Sequence, residues 1–582
     1  MACLRRRKEE TKFGSGLLLC ILVSYLLACI GPIQCNTTES RYDDGIHVPQ
    51  GDGTSSGGFV KREGRHLYDS DGNPFYIVGT NIYYLLEHAS ESEPWLKKSI
   101  VDDSFDAARK MNLNTVRTWA FYDEKFQTQP GVYDEKFFDA LDYIIAKARE
   151  YDLKLILSLT NYWDAYGGME TYVKWANNAT DLAGLSVTEF YTSEACRDMY
   201  KSNFLALKDR YNKYTNLTYA NDPTILAWEL ANEPRHPGDF EGQVLQEWIR
   251  EMSKFIKEQA PKQLVTSGSE GFFGPSTLQY MYMNGNGTFD HDTYLPQMCT
   301  GVDFLSNHDD TTAIDLPSFH LYPDHHAEEL CGRGAPASDC ALQWTQAQTK
   351  TRLEISGSVL QKPLFIGEFG KMKHPTMPGT LDAQVVYRNR LYAQVYKMIQ
   401  QSAVGDFDDE TTITTSSTSS SSLDPHHSNS SGVAGSTFWM LASKDYKDYD
   451  NFTVYVHTNG PSLPPPWIPE YSAVNRQSDF RNFAKEQECV AKVLEGHADF
   501  IDHHWFQPGH DADEWDDTVA KIDRRRQQNP YTSDDLYTAY TFTFDPTLPE
   551  RWTLDTSTVD LITNHASNMK QLANLNKHEW YG

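Results

Sequence analysis

Two glutamates sit in settings that suit paired carboxylate chemistry. Glu233 lies in Ala231-Asn232-Glu233-Pro234-Arg235, at the end of the apolar run TILAWELAN (224–232). Glu368 lies in Ile366-Gly367-Glu368-Phe369-Gly370, at the end of PLFIGEFG (363–370). Glycosidic bond cleavage needs such a pair: one carboxyl protonates the leaving oxygen while the other attacks or supports the anomeric carbon. The acid must have its pKa raised by burial or by the neighbouring carboxylate, and its partner must stay ionised through hydrogen bonds and cationic contacts. Arg117, in NTVRTWAF (114–121), is suited to holding the partner ionised, and Tyr322, in DLPSFHLY (315–322), to hydrogen-bonding it. Each motif alone is weak. Asn-Glu-Pro also opens helices with Pro at the first position, and the Glu of IGEFG could be a buried structural carboxylate. Their weight comes from occurring together with Arg117, His320 and Tyr322 at the ends of apolar runs.

Convergence of these side chains requires a scaffold that brings many run ends to one face. Besides the four runs above, PFYIVGTN (74–81), LKLILSLTN (153–161), QLVTSGSE (263–270) and STFWML (436–441) read as strands. They are continuously apolar rather than alternating, the pattern of parallel strands buried on both faces. Amphipathic segments lie between them. In one, Phe137, Leu141, Ile144, Ile145 and Ala148 share a helical face behind a capping Asp134. Eight such strands separated by helical stretches predict an α/β fold, a (β/α)8 TIM barrel with catalytic residues at the C-terminal ends of its strands. A doubly wound open sheet would need a Gly-rich phosphate loop after an early strand, and the sequence has none.

Two stretches exceed a minimal barrel. Residues 406–434 form a Ser/Thr-rich, low-complexity insertion before strand 8, expected to be disordered. Residues 442–554, rich in Pro, Tyr and Asp, read as a long insertion after strand 8, followed by a closing helix at about 557–574 with Val559, Ile562, Ala566, Met569 and Ala573 as its apolar stripe. A closing helix at 478–494 with a C-terminal appendage is the alternative. The catalytic domain is thus expected over 59–582, after a flexible polar stalk at 36–58.

In ILAWELANEPR, KPLFIGEFGK, SFHLYPD, NTVRTWAF and LILSLTNYWDAYGGMETYVKWAN the chain resembles the endo-β-1,4-mannanases of glycoside hydrolase family 5, of the fungal and plant type. The resemblance runs in order from about Phe59 to Leu441 and resumes near Ser557. It implies a retaining double displacement on β-1,4-mannosidic bonds, without cofactor or metal, with Glu233 as general acid/base and Glu368 as nucleophile. It further implies that Arg117, Asn232, His320, Tyr322 and Trp439 form the surrounding shell, and that Arg235 and Glu270 line the leaving-group side, although a surface salt bridge would explain that last pair equally well. Asn161 falls at the tip of the third strand. Trp439 is expected to form a stacking floor for a pyranose ring, and Trp119 and Trp163 to stack further along the cleft or to pack the barrel top. The expected substrate is a mannan-type polysaccharide: mannan, glucomannan or galactomannan. A β-1,4-glucanase or a transglycosylase would use the same carboxylates, and a carbohydrate-binding wall protein without activity is the alternative from another class. The two insertions depart from the compact members of the family.

A formal net charge of −28 argues against nucleic acid as a partner, because polyphosphate binding needs a basic surface, whereas a neutral polysaccharide meets no charge repulsion. Arg5, Arg6, Arg7 and Lys8 followed by an apolar run from Leu17 to Ile30 read as a signal peptide within residues 1–35. The run is short for a bilayer span, so the expectation is a secreted protein and a monomer, with membrane association only if the segment is an uncleaved single-pass type II anchor. Sequons at Asn36, Asn178, Asn216, Asn286, Asn429 and Asn451 accord with a secretory route. Of the nine cysteines, Cys331 and Cys340 could close a short loop by a disulfide. His503, His504, His510, Asp511 and Asp513 are too irregularly spaced to read as a metal site.

Overall fold

The computed structural model describes residues 58–284, 286–288, 294–296, 300–327, 337–372, 381–404, 432–443, 446, 452–456 and 550–579. Eight parallel strands form one sheet: β1 (Ile77–Asn81), β2 (Thr115–Trp119), β3 (Lys154–Ser158), β4 (Ile225–Glu229), β5 (Leu264–Thr266), β6 (Ser318–Leu321), β7 (Leu364–Phe369) and β8 (Val433–Phe438). Their order is β5-β4-β3-β2-β1-β8-β7-β6. A parallel bridge between Thr266 and Leu316 joins the two ends, reinforced by Asp315 N donating to Val265 O at 2.8 Å and Thr266 Oγ1 to Leu316 O at 2.9 Å. The sheet therefore closes into the (β/α)8 barrel. Nearly every strand residue is buried, as parallel strands covered on both faces must be.

The helices α1 (Ser99–Lys110), α2 (Glu135–Glu150), α3 (Glu194–Asp209), α4 (Gln243–Gln259), α5 (Ala337–Glu354), α6 (Leu381–Val404) and α7 (Glu550–Glu579) flank the strands. Asp134 caps α2, its side chain accepting from Lys136 N at 2.9 Å, and the expected apolar face of that helix is buried. Among the described residues the β5–β6 connection carries short 3-10 turns, Pro275–Met283 and Ser306–His308, in place of a long helix. An antiparallel pair, Lys61–Glu63 with His66–Tyr68, precedes β1. Its neighbour Val60 and its own Leu67 join Ile77, Ile156, Leu264, Leu316, Phe365 and Ala434 in one apolar cluster, which seals the N-terminal end of the barrel. Polar side chains are thereby left to the opposite end.

Two boundaries differ from the sequence reading. Strand β8 begins at Val433 and ends at Phe438, so Trp439 follows the strand. Its start is small and weakly apolar because a Cβ at Gly435, where φ is +129°, would lie 1.9 Å from Ile77 O on β1. Helix α7 starts at Glu550, before the expected 557. It packs on α6 through Arg388 donating to Thr558 Oγ1 at 2.6 Å, Gln400 Nε2 paired with His565 Nδ1 at 3.1 Å, and the rings of Tyr396 and His565 stacked at 3.9 Å. Leu561, Ile562, Ala566 and Met569 are buried there.

The expected signal segment (1–35), the stalk to residue 57, the tract 405–431, the segment 457–549 with its alternative helix at 478–494, and the histidines from His503 to His510 lie outside the described residues. Asn178 and Asn216 are exposed. Cys340 is disulfide-bonded, whereas Cys196 is a buried free thiol. Among the described residues no helix is long and apolar enough to cross a membrane.

Candidate active site

The C-terminal end of the barrel is organised around one buried guanidinium. Arg117, on β2, has no exposed surface. Its Nε and Nη2 donate to the two carboxylate oxygens of Glu229 on β4 at 2.8 and 2.6 Å. Nη1 donates to Asn81 Oδ1 at 2.8 Å and to Glu368 Oε1 on β7 at 2.6 Å, and Nη2 also reaches Asn232 Oδ1 at 2.7 Å. A planar fork with fixed donors suits this task, because it can orient several acceptors at once. Asn81 is fixed in turn by donating to the carbonyls of Gly367 and Phe438 at 3.1 and 3.2 Å.

Glu368 is held at both oxygens, by Arg117 and by the Tyr322 hydroxyl, which donates to Oε2 at 2.6 Å. Glu233 lies just past β4 in a turn of left-handed backbone with φ of 48°. Its N–H donates to Gly268 O at 2.9 Å. Asn-Glu-Pro does not open a helix here, since α4 starts only at Gln243. The Trp163 indole donates to Glu233 Oε2 at 2.6 Å, and His320 Nδ1 lies 2.7 Å from Oε1. His320 Nδ1 is also 3.7 Å from Glu368 Oε2. One carboxylate oxygen of Glu233 and one of Glu368 come within 4.8 Å of each other, with a ring nitrogen of His320 in the same radius. Three such ligand atoms could approach a metal ion; hydrogen bonds already engage both oxygens of each carboxylate and His320 Nδ1, whereas His320 Nε2 has no partner among the described residues.

Burial raises both carboxyls above the ordinary glutamate value. For Glu233 the charges of Arg235 and Arg117 and the Trp163 hydrogen bond oppose that rise. For Glu368 the opposing groups are His320, Arg117 and the Tyr322 hydroxyl, while Glu233 pushes it up further. Carboxyls this close titrate as a pair and cannot both ionise cheaply. Glu368 touches a guanidinium directly, whereas the contacts of Glu233 are the indole and the imidazole, so the shared proton belongs on Glu233. Burial lowers His320 below the ordinary imidazole value, with the charge of Glu368 opposing that shift.

The remaining sequence-derived residues fall around this pair. Asn232 Nδ2 donates to Asn161 Oδ1 at 3.0 Å, tying the end of β4 to that of β3. Arg235 and Glu270 form a bidentate pair with both bonds at 2.5 Å. They are about 5% and 2% exposed, which rules out the surface salt bridge. Arg235 also lies over the Trp163 ring at 5.0 Å and Phe272 at 5.5 Å. Burial pushes the Glu270 carboxyl up to about 6 despite Arg235. Trp439 and Trp163 are half-buried, but Trp119 is buried, packed against Phe121 with Arg117 above its ring. Trp119 is therefore packing rather than an open platform.

Sequence reasoning missed four contributors. Glu229, fully buried, is the main partner of Arg117; a carboxylate in the middle of an apolar strand run was the available signal. Tyr83 stacks on Trp439 at 5.4 Å with planes 7° apart, and Tyr446 bonds the Tyr83 hydroxyl at 2.6 Å. Phe452 packs edge-on against Tyr322 at 5.2 Å. Tyr446 and Phe452 belong to the segment after β8, so part of that insertion supports the site.

A family model described as GH family 5 beta-mannosidase-like matches residues 57–295. Mannan endo-1,4-beta-mannosidase 2 of Oryza sativa subsp. japonica is 34% identical over 460 residues, covering 77% of this chain and 93% of the relative. Mannan endo-1,4-beta-mannosidase 5 of Arabidopsis thaliana is 35% identical over 351 residues, 60% of this chain and 75% of the relative. The crystal structure of a glycoside hydrolase family 5 mannosidase from Rhizomucor miehei superposes with a TM-score of 0.51 at 18% identity, over 75% of this chain and 98% of that one; that likeness is one of fold.

Proposed function

The chain belongs to the mannan endo-1,4-β-mannosidases of glycoside hydrolase family 5, and on that premise we propose that it hydrolyses internal β-1,4-mannosidic bonds of mannan-type polysaccharides by a retaining double displacement. The observation that carries the mechanism is that one carboxylate oxygen of Glu233 lies within 4.8 Å of one of Glu368. Retaining pairs stand about 5–5.5 Å apart, too close to admit the water an inverting enzyme needs between carboxylate and sugar. Glu368, ionised by Arg117 and Tyr322, attacks the anomeric carbon as Glu233 gives its proton to the leaving oxygen. Glu233, now a base, then deprotonates the water that releases the glycosyl–Glu368 ester. Asn232 is positioned by Arg117 and Asn161 to bond the sugar 2-OH, a contact that strengthens in the oxocarbenium-like transition state. Trp439 supplies the apolar face for the ring, and Arg235 with Glu270 bonds the sugar on the leaving side. The exposed sequons Asn178 and Asn216 and the cationic–apolar N-terminal sequence support an extracellular destination.

Two measurements test this. The protein should release reducing ends from mannan and galactomannan but not from carboxymethylcellulose; the reverse preference makes it a glucanase, and turnover of neither makes it a binding protein. Glu233→Gln should lose about 10²–10⁴-fold on polysaccharide yet keep its first, glycosylating step on an aryl mannoside whose leaving group needs no proton. Glu368→Gln should lose both. Equal behaviour of the two variants would reverse or remove the assigned roles.

A further inference from the structure

Helix α5 buries a guanidinium that the mechanism does not use. Arg352 is about 2% exposed, and its bonds go to neutral oxygens. Nε and Nη2 donate to Gly271 O at 2.9 and 2.6 Å, and Nη1 to Gln348 O at 3.0 Å and to Gln348 Oε1. Three aromatic rings surround it, Phe273 at 4.0 Å, Phe319 at 4.8 Å and Phe304 at 5.6 Å. Burial pushes the guanidinium down to about 9, so it still carries its charge at neutral pH. Taking a charge out of water without a counter-charge is expensive, and ring contacts recover only part of that cost. A hydrocarbon side chain would avoid it. What a hydrocarbon could not do is hold the carbonyl of Gly271.

Gly271 directly follows Glu270 in the turn that leaves β5. Its φ is +67°, and a Cβ there would stand 2.5 Å from Phe319 Cβ on β6, so the turn passes hard against the neighbouring strand. His320 N donates to Glu270 O at 3.2 Å, and Gly271 N to Ser269 Oγ at 3.0 Å. The two bonds from Arg352 fix the same peptide from the other side. The turn therefore lies between two guanidiniums. Glu270 and Phe272 face Arg235, through the bidentate pair and a ring contact at 5.5 Å. Gly271 O and Phe273 meet Arg352 instead. A shift at the Gly271 carbonyl would move Glu270 and Phe272 with it. Helix α5 also grips the far end of this connection, where Trp344 Nε1 donates to Met283 O at 2.8 Å and Gln348 Nε2 donates to the same carbonyl. Gln348 thus links the anchor of Met283 to the anchor of Gly271.

We propose that Arg352 is a positioning residue for the leaving-group side of the cleft: by fixing Gly271 O, it sets where Glu270 holds Arg235 for the departing sugar. The inference rests on the reading of Arg235 and Glu270 as the pair that bonds that sugar. Arg352→Met removes the donors while keeping most of the volume. With the full chain, kcat/KM is measured on mannotetraose, whose leaving portion is a sugar, and on an aryl mannobioside whose leaving group has no hydroxyls and needs no proton. The variant should lose about ten-fold on mannotetraose, the size of one charge-assisted hydrogen bond, and stay within about twofold of the parent on the aryl substrate. A merely structural role would lower both rates alike. Equal loss on the two substrates, or no loss on mannotetraose, therefore overturns the positioning role. If Arg352→Met does not fold, Arg352→Lys, which keeps the charge but not the planar fork, is judged by the same criterion. A parent protein that cleaves neither substrate defeats the mannanase reading instead, and crystal structures of the parent and Arg352→Lys then decide the role of Arg352. Displacement of the Glu270 carboxylate from Arg235 by about 1 Å, enough to matter in a positioned site, supports it; an unmoved pair overturns it.

Discussion

The guanidinium of Arg117 serves two carboxylates, Glu229 and Glu368, besides the amide oxygens of Asn81 and Asn232. Glu229 fixes its plane through two bonds, and that plane fixes where a positive charge meets the nucleophile. Removing one partner of a buried pair strands the other, at a cost of about 3–5 kcal/mol. Glu229→Gln should therefore destabilise the protein by about that amount in urea unfolding, and its kcat/KM should fall at least about ten-fold; wild-type stability would remove Glu229 from this role. Trp163 acts on the other carboxylate. Its indole N–H favours the ionised form of Glu233, so Trp163→Phe should raise the pKa of the acid and move the alkaline limb of the kcat/KM–pH profile to higher pH, with the acid limb, set by Glu368, much less affected. A limb that moves the other way would contradict the hydrogen bond. The carboxylates, Arg117, His320 and Tyr322 were readable in the sequence because each ends an apolar run, where barrel chemistry collects. Glu229 was not, because it acts through Arg117, and side chains that act through others show no spacing rule. Tyr83 was hidden likewise: its partner Trp439 is more than 350 positions away.

Among the elements, the strands were legible and the turns were not. Burial on both faces gives a parallel strand a continuous apolar signature, and all eight runs coincide with strands to within a few residues. Backbone geometry leaves no such mark. Glu233 takes its left-handed conformation because its N–H reaches Gly268 O, and Gly268, at φ of +71°, stands where a Cβ would be 1.9 Å from Ala231 O. Two adjacent strand ends are therefore locked through one glycine. Gly268→Ala should cost more than the ~1–3 kcal/mol of a strained backbone alone, because the clash adds to it, and kcat should drop as Glu233 shifts from His320 and Trp163. Thermal unfolding and steady-state kinetics on soluble protein check both effects; a variant as stable and active as the parent would show that the turn can relax.

For the molecule as a whole, a net charge of −28 governs how it meets polymers in solution. Exposed charges are screened within about 10 Å at 0.1 M salt, so KM on neutral mannan should change less than about twofold between 0.05 and 0.5 M NaCl. An anionic polysaccharide should bind better as salt rises. A steep salt dependence on mannan would instead point to a cationic patch in binding. The connectivity of the barrel has a separate consequence in time. Helix α7 packs on α6, which precedes β8 in the chain, yet roughly 110 residues lie between the end of β8 and the start of α7. At ~5–20 residues per second of synthesis, a ribosome needs about 6–22 s to supply α7 after β8 is complete. Through that interval the α6 surface that receives Ile562, His565 and Ala566 stays bare on the nascent chain. Chaperone occupancy of ribosome-bound intermediates should therefore peak between those two elements.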